Sequence, residues 1–334
     1  MCRLKSGIIL KDRIFVPEYD SHTEMLEELG IKDSYLTASK TFVKFELSPK
    51  DNDVFSDIDN WELGIDQDIV PDWYDEEIYK PRVIEQVKEW AKTHIHNGID
   101  NLKISFGNNH YIKDCKDVCI CGNAVVSCII GDTTVLSIYG SAKVNRICEN
   151  VTVDRIRDCA MVGCICDNAK ITCICDRVCV NHIFDGAMVS YVYGNSFIRE
   201  ICGNAVIENL CGNTMVYTIY EDTLIKHIFG SARINNISGN ARVNKIYNSA
   251  VVGYVSGDAV IDYICDGASI QCVDDNATIS HISDIATVVS SNFWQSKNIP
   301  MISKDAVFKD CNARIIYQSG DWKFVGVKSD VANE

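Results

Sequence analysis

No stretch of about eighteen consecutive apolar residues occurs in the chain, which excludes a membrane-spanning helix. The opening MCRLKSGIIL has an apolar run too short for an export signal. Lysine and arginine are missing from residues 51–77, which hold eleven acidic residues and account for most of the net charge of −14. With the imbalance confined to one acidic tract, nucleic acid is not an expected partner. A nucleophile–base signature and a phosphate-binding glycine loop are also missing, so no catalytic residue is assigned. These absences predict a soluble cytoplasmic protein that is not an enzyme, uses no cofactor and has no membrane partner.

Cysteine is abundant, at 17 residues, but an odd count in a long chain with no export signal argues against a disulfide framework and for free thiols. A length of 334 residues with 47% hydrophobic composition is enough for one or two cores.

A repeat decides the fold class. From Gly122 the chain divides every nine residues, as GNAVVSCII, GDTTVLSIY, GSAKVNRIC, ENVTVDRIR and onward to DIATVVSSN, giving nineteen units after a degenerate one ending at Cys121. Position one is Gly, Asp, Glu or Asn, position three is small, and positions five and eight are aliphatic. Small and β-branched residues at this spacing suit a short strand facing a core, and the Gly-Asn punctuation suits a bend with positive φ. A single unit cannot bury its apolar edge, so the units must stack as coils. The class is therefore mainly β: a parallel β-solenoid of nonapeptide repeats with a small N-terminal α/β module and a C-terminal cap.

The number of units per turn is read from position nine. Cys121, Cys148, Cys175 and Cys202 recur there at every third unit, as do Tyr193, Tyr220 and Tyr247, and Met161, Met188 and Met215 at position four share that lag. On the premise that like residues stack, this favours three units per turn, roughly 27 residues, and a triangular coil. A two-sided coil with two units per turn is the alternative.

The expected divisions are a module over 1–100 containing the acidic tract, a junction and N-cap over 101–121, the solenoid over 122–291 and a cap over 292–334. Within the module, RVIEQVKEWAKTHI predicts an amphipathic helix burying Val83, Val87, Trp90 and Ala91.

Candidate sites follow from the triangular frame. One side would carry Met161, Met188, Tyr191, Met215 and Tyr217, a Met/Tyr stripe suited to a protein partner or a second copy. A second would carry Asp154, Asn181, Glu208, Asn235 and Asp262, an arrangement compatible with a sugar-binding or sugar-cleaving β-helix. The third carries Lys143, Arg146, Lys170, Arg199 and Lys226. In the acidic tract, Trp61, Trp73 and Tyr74 beside Asp66, Asp68 and Asp72 could dock on a basic partner. Asp51, Asp53, Asp59 and Glu62 match four positions of a calcium loop, but Phe55 and Ser56 break it. The Cys-x-Cys pairs Cys119/Cys121, Cys164/Cys166 and Cys173/Cys175 fall on different sides of a triangle, so they are read as packing ladders, with no metal site.

The run IDQDIVPDWY at 65–74, after FVKFELSPKDNDVF and before the EWAKTHI helix and the YIKDC entry into GNA-type repeats, resembles uncharacterised proteins of bacteriophages and prophages of gut bacteria. In these a similar N-terminal module precedes degenerate solenoid repeats. The resemblance covers most of the chain and implies phage origin, action in the cytoplasm of a bacterial host, and binding to a host component, such as one of its defences. No residue role is carried over by it.

Overall fold

The structure, a computed structural model, describes residues 4–290, 301–310, 315–318 and 320–324. Nearly every unit of the repeat folds as a five-residue strand followed by a tight bend, as in Lys143–Ile147, Thr152–Ile156 and Met161–Ile165. Positions three, five and eight point inward: Ala142, Val144 and Ile147 are at most 1% exposed, and this triplet recurs along a single continuous core.

Strands pair in parallel with the strand two units further on, Thr134 with Thr152 and Thr152 with Lys170 on one side, Lys143 with Met161 and Met161 with Cys179 on the other. The solenoid is therefore two-sided, of about 11 turns, and not triangular. Its walls are a 12-stranded sheet, here the short sheet, and a 15-stranded sheet, the long sheet. The expectation of three units per turn fails because the premise of like-on-like stacking fails at the edges. Position nine lies at the edge between the sheets, and there Cys121 lies under Tyr139, Cys175 under Tyr193 and Cys202 under Tyr220, each tyrosine beside the thiol one rung below. At a rung spacing of about 4.8 Å a ring fits better over a small thiol than over another ring, so unlike residues alternate between stacked units and the identities appear one unit further on. In the core, where Ile129, Ile147, Ile165, Ile183, Ile201 and Ile219 do stack like on like, position eight is too uniform to reveal a period.

Position one explains the bends. Every unit from Gly122 to Asp284 has positive φ there, whether glycine or Asp, Glu or Asn. At most of the acidic ones the carboxylate accepts from the backbone N–H one coil earlier: Asp158 from Gly140 at 3.0 Å, Asp167 from Glu149 at 3.1 Å, Asp176 from Asp158 at 3.1 Å. The second position adds side-chain amide ladders such as Asn213 on Asn195 at 3.1 Å. The acidic bends are thus stapled through charge-assisted hydrogen bonds.

Coiling starts earlier than the legible repeat. Ile95–Asn97 and Lys103–Ile104 are already rungs of the long and short sheets, so much of the segment expected to cap the solenoid is solenoid itself. The cap is the N-terminal module. Its antiparallel sheet runs in the order Ile14–Phe15, Lys5–Leu10, Phe42–Ser48, Glu62–Ile65, and the helix Glu76–His94 buries Val83, Val87, Trp90 and Ala91 as expected, in a core that reaches Ile95 and Tyr111. At the far end Val307–Asp310 joins the long sheet in parallel and Ile315–Gln318 and Asp321–Phe324 close it antiparallel. Other residues expected in that cap lie outside the described ones.

Candidate interaction faces and the joint pocket

Positions four, six and seven of each unit face outward, and the two-sided coil redistributes the expected stripes. Met161, Met215 and Tyr217 stand on the long sheet, while Met188 and Tyr191 stand on the short sheet, so the single Met/Tyr side does not exist. The long sheet instead aligns Met161, Cys179, Phe197 and Met215 on four consecutive rungs at position four. Met161 and Met215 are about half exposed, and Tyr217, 56% exposed, stands beside the column. Lys143 precedes it and Arg233 follows it in the same register. A shorter column on the short sheet, Met188, Val206 and Leu224, is likewise bounded by Lys170 and Arg242. The expected basic side is split too, Lys143, Arg146 and Arg199 on the long sheet and Lys170 and Lys226 on the short one.

The carboxylate column also divides. Asp154, Glu208 and Asp262 are on the short sheet and Asn181 and Asn235 on the long sheet. Asp154 and Glu208 are three rungs apart, about 14 Å at roughly 4.8 Å per rung. Paired carboxylates of glycosidases stand roughly 5–9.5 Å apart. Lys226 lies 2.7 Å from Glu208 and holds its carboxyl below the usual carboxylate range. A shallow groove of about 550 Å³ crosses this face between Leu136 and Met188, with Asp154 and Lys170 on its walls.

In the acidic tract the aromatic residues turn inward. Trp61 is 1% exposed, its indole N–H donating to Ser56 Oγ at 3.1 Å, and Trp73 donates to the Lys40 carbonyl at 2.8 Å. Tyr74 stacks on Tyr79, and burial pushes its phenol up to about 12. Trp61 belongs to the module core, and Trp73 and Tyr74 are half-buried against it. Of the acids, Asp66 accepts from His22 at 3.0 Å, Asp59 pairs with Lys88 at 2.6 Å, and Asp57 and Asp75 cap helices, so much of the tract's charge is used locally. Asp68 borders a small cavity and Asp72 is exposed.

The feature with the most chemistry lies where the module meets the first coils. A cavity of about 590 Å³ is lined by Glu18, His94, His96, Lys103, Phe106 and His110 among others. The three imidazoles, all at most 7% exposed, stack: His94 on His110 at 5.2 Å and His96 on His110 at 5.4 Å between centroids. His110 Nε2 faces the Phe106 carbonyl at 2.9 Å and so carries a proton, which leaves Nδ1 to accept from His96 Nε2 at 3.3 Å. Burial, reinforced by the neighbouring imidazoles, lowers His96 to about 4; burial also lowers His110. His94 Nε2 is 2.6 Å from Glu18. Thr93, His94 and Glu18 have the residue types of a hydrolytic triad; the Thr93 hydroxyl lies 2.8 Å from His94 Nδ1 and 3.0 Å from Trp90 O, to which it donates within its own helix. Behind the histidines, Lys5 is completely buried, paired with Asp20 at 2.6 Å and lying over the Trp90 ring. This pocket lies before the legible repeat begins. The signal that marks it is that three of the seven histidines fall between residues 94 and 110.

No protein-family model, no curated protein and no solved structure matches the chain.

Proposed function

We propose that the protein is a non-catalytic binding protein that presents the Met161–Cys179–Phe197–Met215 column of its long sheet, with Tyr217, to a protein partner. The observation that carries this reading is the alignment itself. Four apolar side chains on consecutive rungs form a strip about 14 Å long on a wall that cannot rearrange, because each strand is hydrogen-bonded on both sides. Lys143 and Arg233 at its ends favour a partner with an apolar centre and acidic flanks. The backbone beneath the strip is already ordered, so the conformational entropy lost on binding is that of side chains only. The three-rung separation of Asp154 and Glu208 weakens the carbohydrate-cleaving alternative. The resemblance of the N-terminal run to phage and prophage proteins supports a bacterial host as the place to look for the partner, a defence component among them.

The test is capture from a bacterial host lysate with wild-type protein, a Met161→Glu/Met215→Glu variant and a Met188→Glu control on the opposite wall, alongside light scattering of each. The expected outcome is a specific partner lost only with the long-sheet variant. Equal capture by all three would sink the assignment of this face. A wild-type dimer converted to monomer by Met161→Glu/Met215→Glu would identify the partner as a second copy and favour a scaffold.

A further inference from the structure

The two-unit turn brings together thiols that a triangular coil would keep apart. Cys148 and Cys166 occupy position nine on consecutive rungs of one edge, both buried, and their sulfurs and an Asp167 carboxylate oxygen all lie within 4.8 Å of one another. Cys164, two residues before Cys166, stands outside this cluster and donates to the Asn145 carbonyl at 3.6 Å. The other two Cys-x-Cys pairs, Cys119/Cys121 and Cys173/Cys175, are covered by Tyr139 and Tyr193 on the next rung. Of the three pairs, Cys164/Cys166 alone has a third thiol at the neighbouring position-nine site.

We propose that Cys148, Cys166 and Asp167 form a site for one soft divalent cation, zinc in a cell, with the fourth position left to solvent. Two thiols and a carboxylate converging from two strands have the donor types of a tetrahedral sulfur-rich centre, in which sulfurs about 3.8 Å apart each reach the ion at about 2.3 Å. Two thiolates and a carboxylate around a dication leave one negative charge, which the neighbouring Arg146 guanidinium offsets. Ligation by thiolate displaces the thiol proton, so binding weakens as pH falls. A second convergent corner, Cys265 with Asp266 and Asp284, has only one thiol among its three donors. It is a built-in comparator and should not retain the ion.

The experiment uses the full chain, reduced and stripped with chelator, dialysed against zinc and separately titrated with cobalt(II). One zinc retained per chain, and a thiolate charge-transfer band with cobalt, are expected. Cys166→Ser should abolish the band, and Asp167→Asn should weaken zinc binding about tenfold or more. Cys175→Ser on the opposite edge should change neither. Asp167→Asn folds in any case, because Asn248 already occupies the same bend position with positive φ. Its unchanged affinity, a failure of wild type to retain stoichiometric zinc, or equal losses in Cys175→Ser and Cys166→Ser would each overturn the site.

Discussion

Between Val118 and Ser290 an inward side chain at position five or eight meets a near copy of itself one coil away, Ile147 between Ile129 and Ile165 being typical. At the joint with the N-terminal module the buried groups are each used once: Lys5 against Asp20, His94 against Glu18, His96 against His110. The shaft is stabilised by many interchangeable apolar contacts and the joint by a few polar ones that have no substitute. Loss of a shaft contact leaves a cavity. Loss of a joint contact leaves a charge or a donor buried without a partner, which is the more damaging outcome.

The largest expected effect therefore belongs to the joint. Asp20→Ala leaves the fully buried Lys5 ammonium with only the Tyr19 carbonyl at 3.2 Å, and breaking such a pair costs about 4 kcal/mol. It also removes the acceptor of Asn109 Nδ2 at 3.1 Å, a bond linking module and coils. Ile165→Ala in the middle of the shaft costs about 3 kcal/mol, and because coils contact only their neighbours the damage is local. Hydrogen exchange under native conditions separates the two. Asp20→Ala should speed exchange throughout the module and first coils while sparing the rungs beyond Ile165, and Ile165→Ala should do the reverse. Equal, global acceleration by both would show that shaft and joint unfold as one unit.

pH separates them a second way, with a smaller effect. His96 and His110 have folded pKa values below 6.5, so the unfolded chain binds protons that the folded joint refuses. Stability of the joint is complete above about pH 6.5 and is lost as pH falls toward about 4. The shaft's thiols are shifted the other way, Cys128 and Cys166 to about 11 and Cys148 and Cys175 to about 12, chiefly by burial. Their contribution is complete below about pH 9 and is lost as pH rises through about 11–12. Urea unfolding of wild type across this range should show the module loosening first in acid and the shaft weakening first in alkali. His96→Gln, which cannot take up a proton, should flatten the acid limb only.

The same division governs what the sequence could reveal. Strands, inward positions and bends were legible because a nine-residue pattern repeated nineteen times averages away local exceptions, and the helix over Val83–Ala91 was legible from its own periodicity. The turn length was not, because the information lay at position nine, where the packing rule is large over small and not like over like. That error displaced the Met/Tyr stripe and hid the corner at Cys148 and Cys166. The joint was illegible for a different reason: Lys5 and Asp20, or Glu18 and His94, are paired by tertiary contacts between segments that carry no repeat. The inward turn of Trp61, Trp73 and Tyr74 is of the same kind, since composition cannot tell an aromatic buried beneath an acidic loop from one displayed on it.

The smallest effect tests the bends that let the shaft repeat at all. Asp158 does two things: it adopts φ of 62°, and its carboxylate accepts from the Gly140 N–H at 3.0 Å. Asp158→Asn keeps an acceptor and tolerates the backbone, so a loss of only a few tenths of a kcal/mol is expected. Asp158→Gly keeps the backbone and loses the staple, for about 1 kcal/mol. Asp158→Ala loses both, and the strain of a Cβ in the left-handed region brings the total to about 2 kcal/mol. Chemical unfolding of the three should rank them in that order. If Ala and Gly are equal, backbone strain at position one is negligible and the staple alone selects the residue; if Gly equals wild type, the staple contributes nothing and acidic residues occupy the bends for their charge.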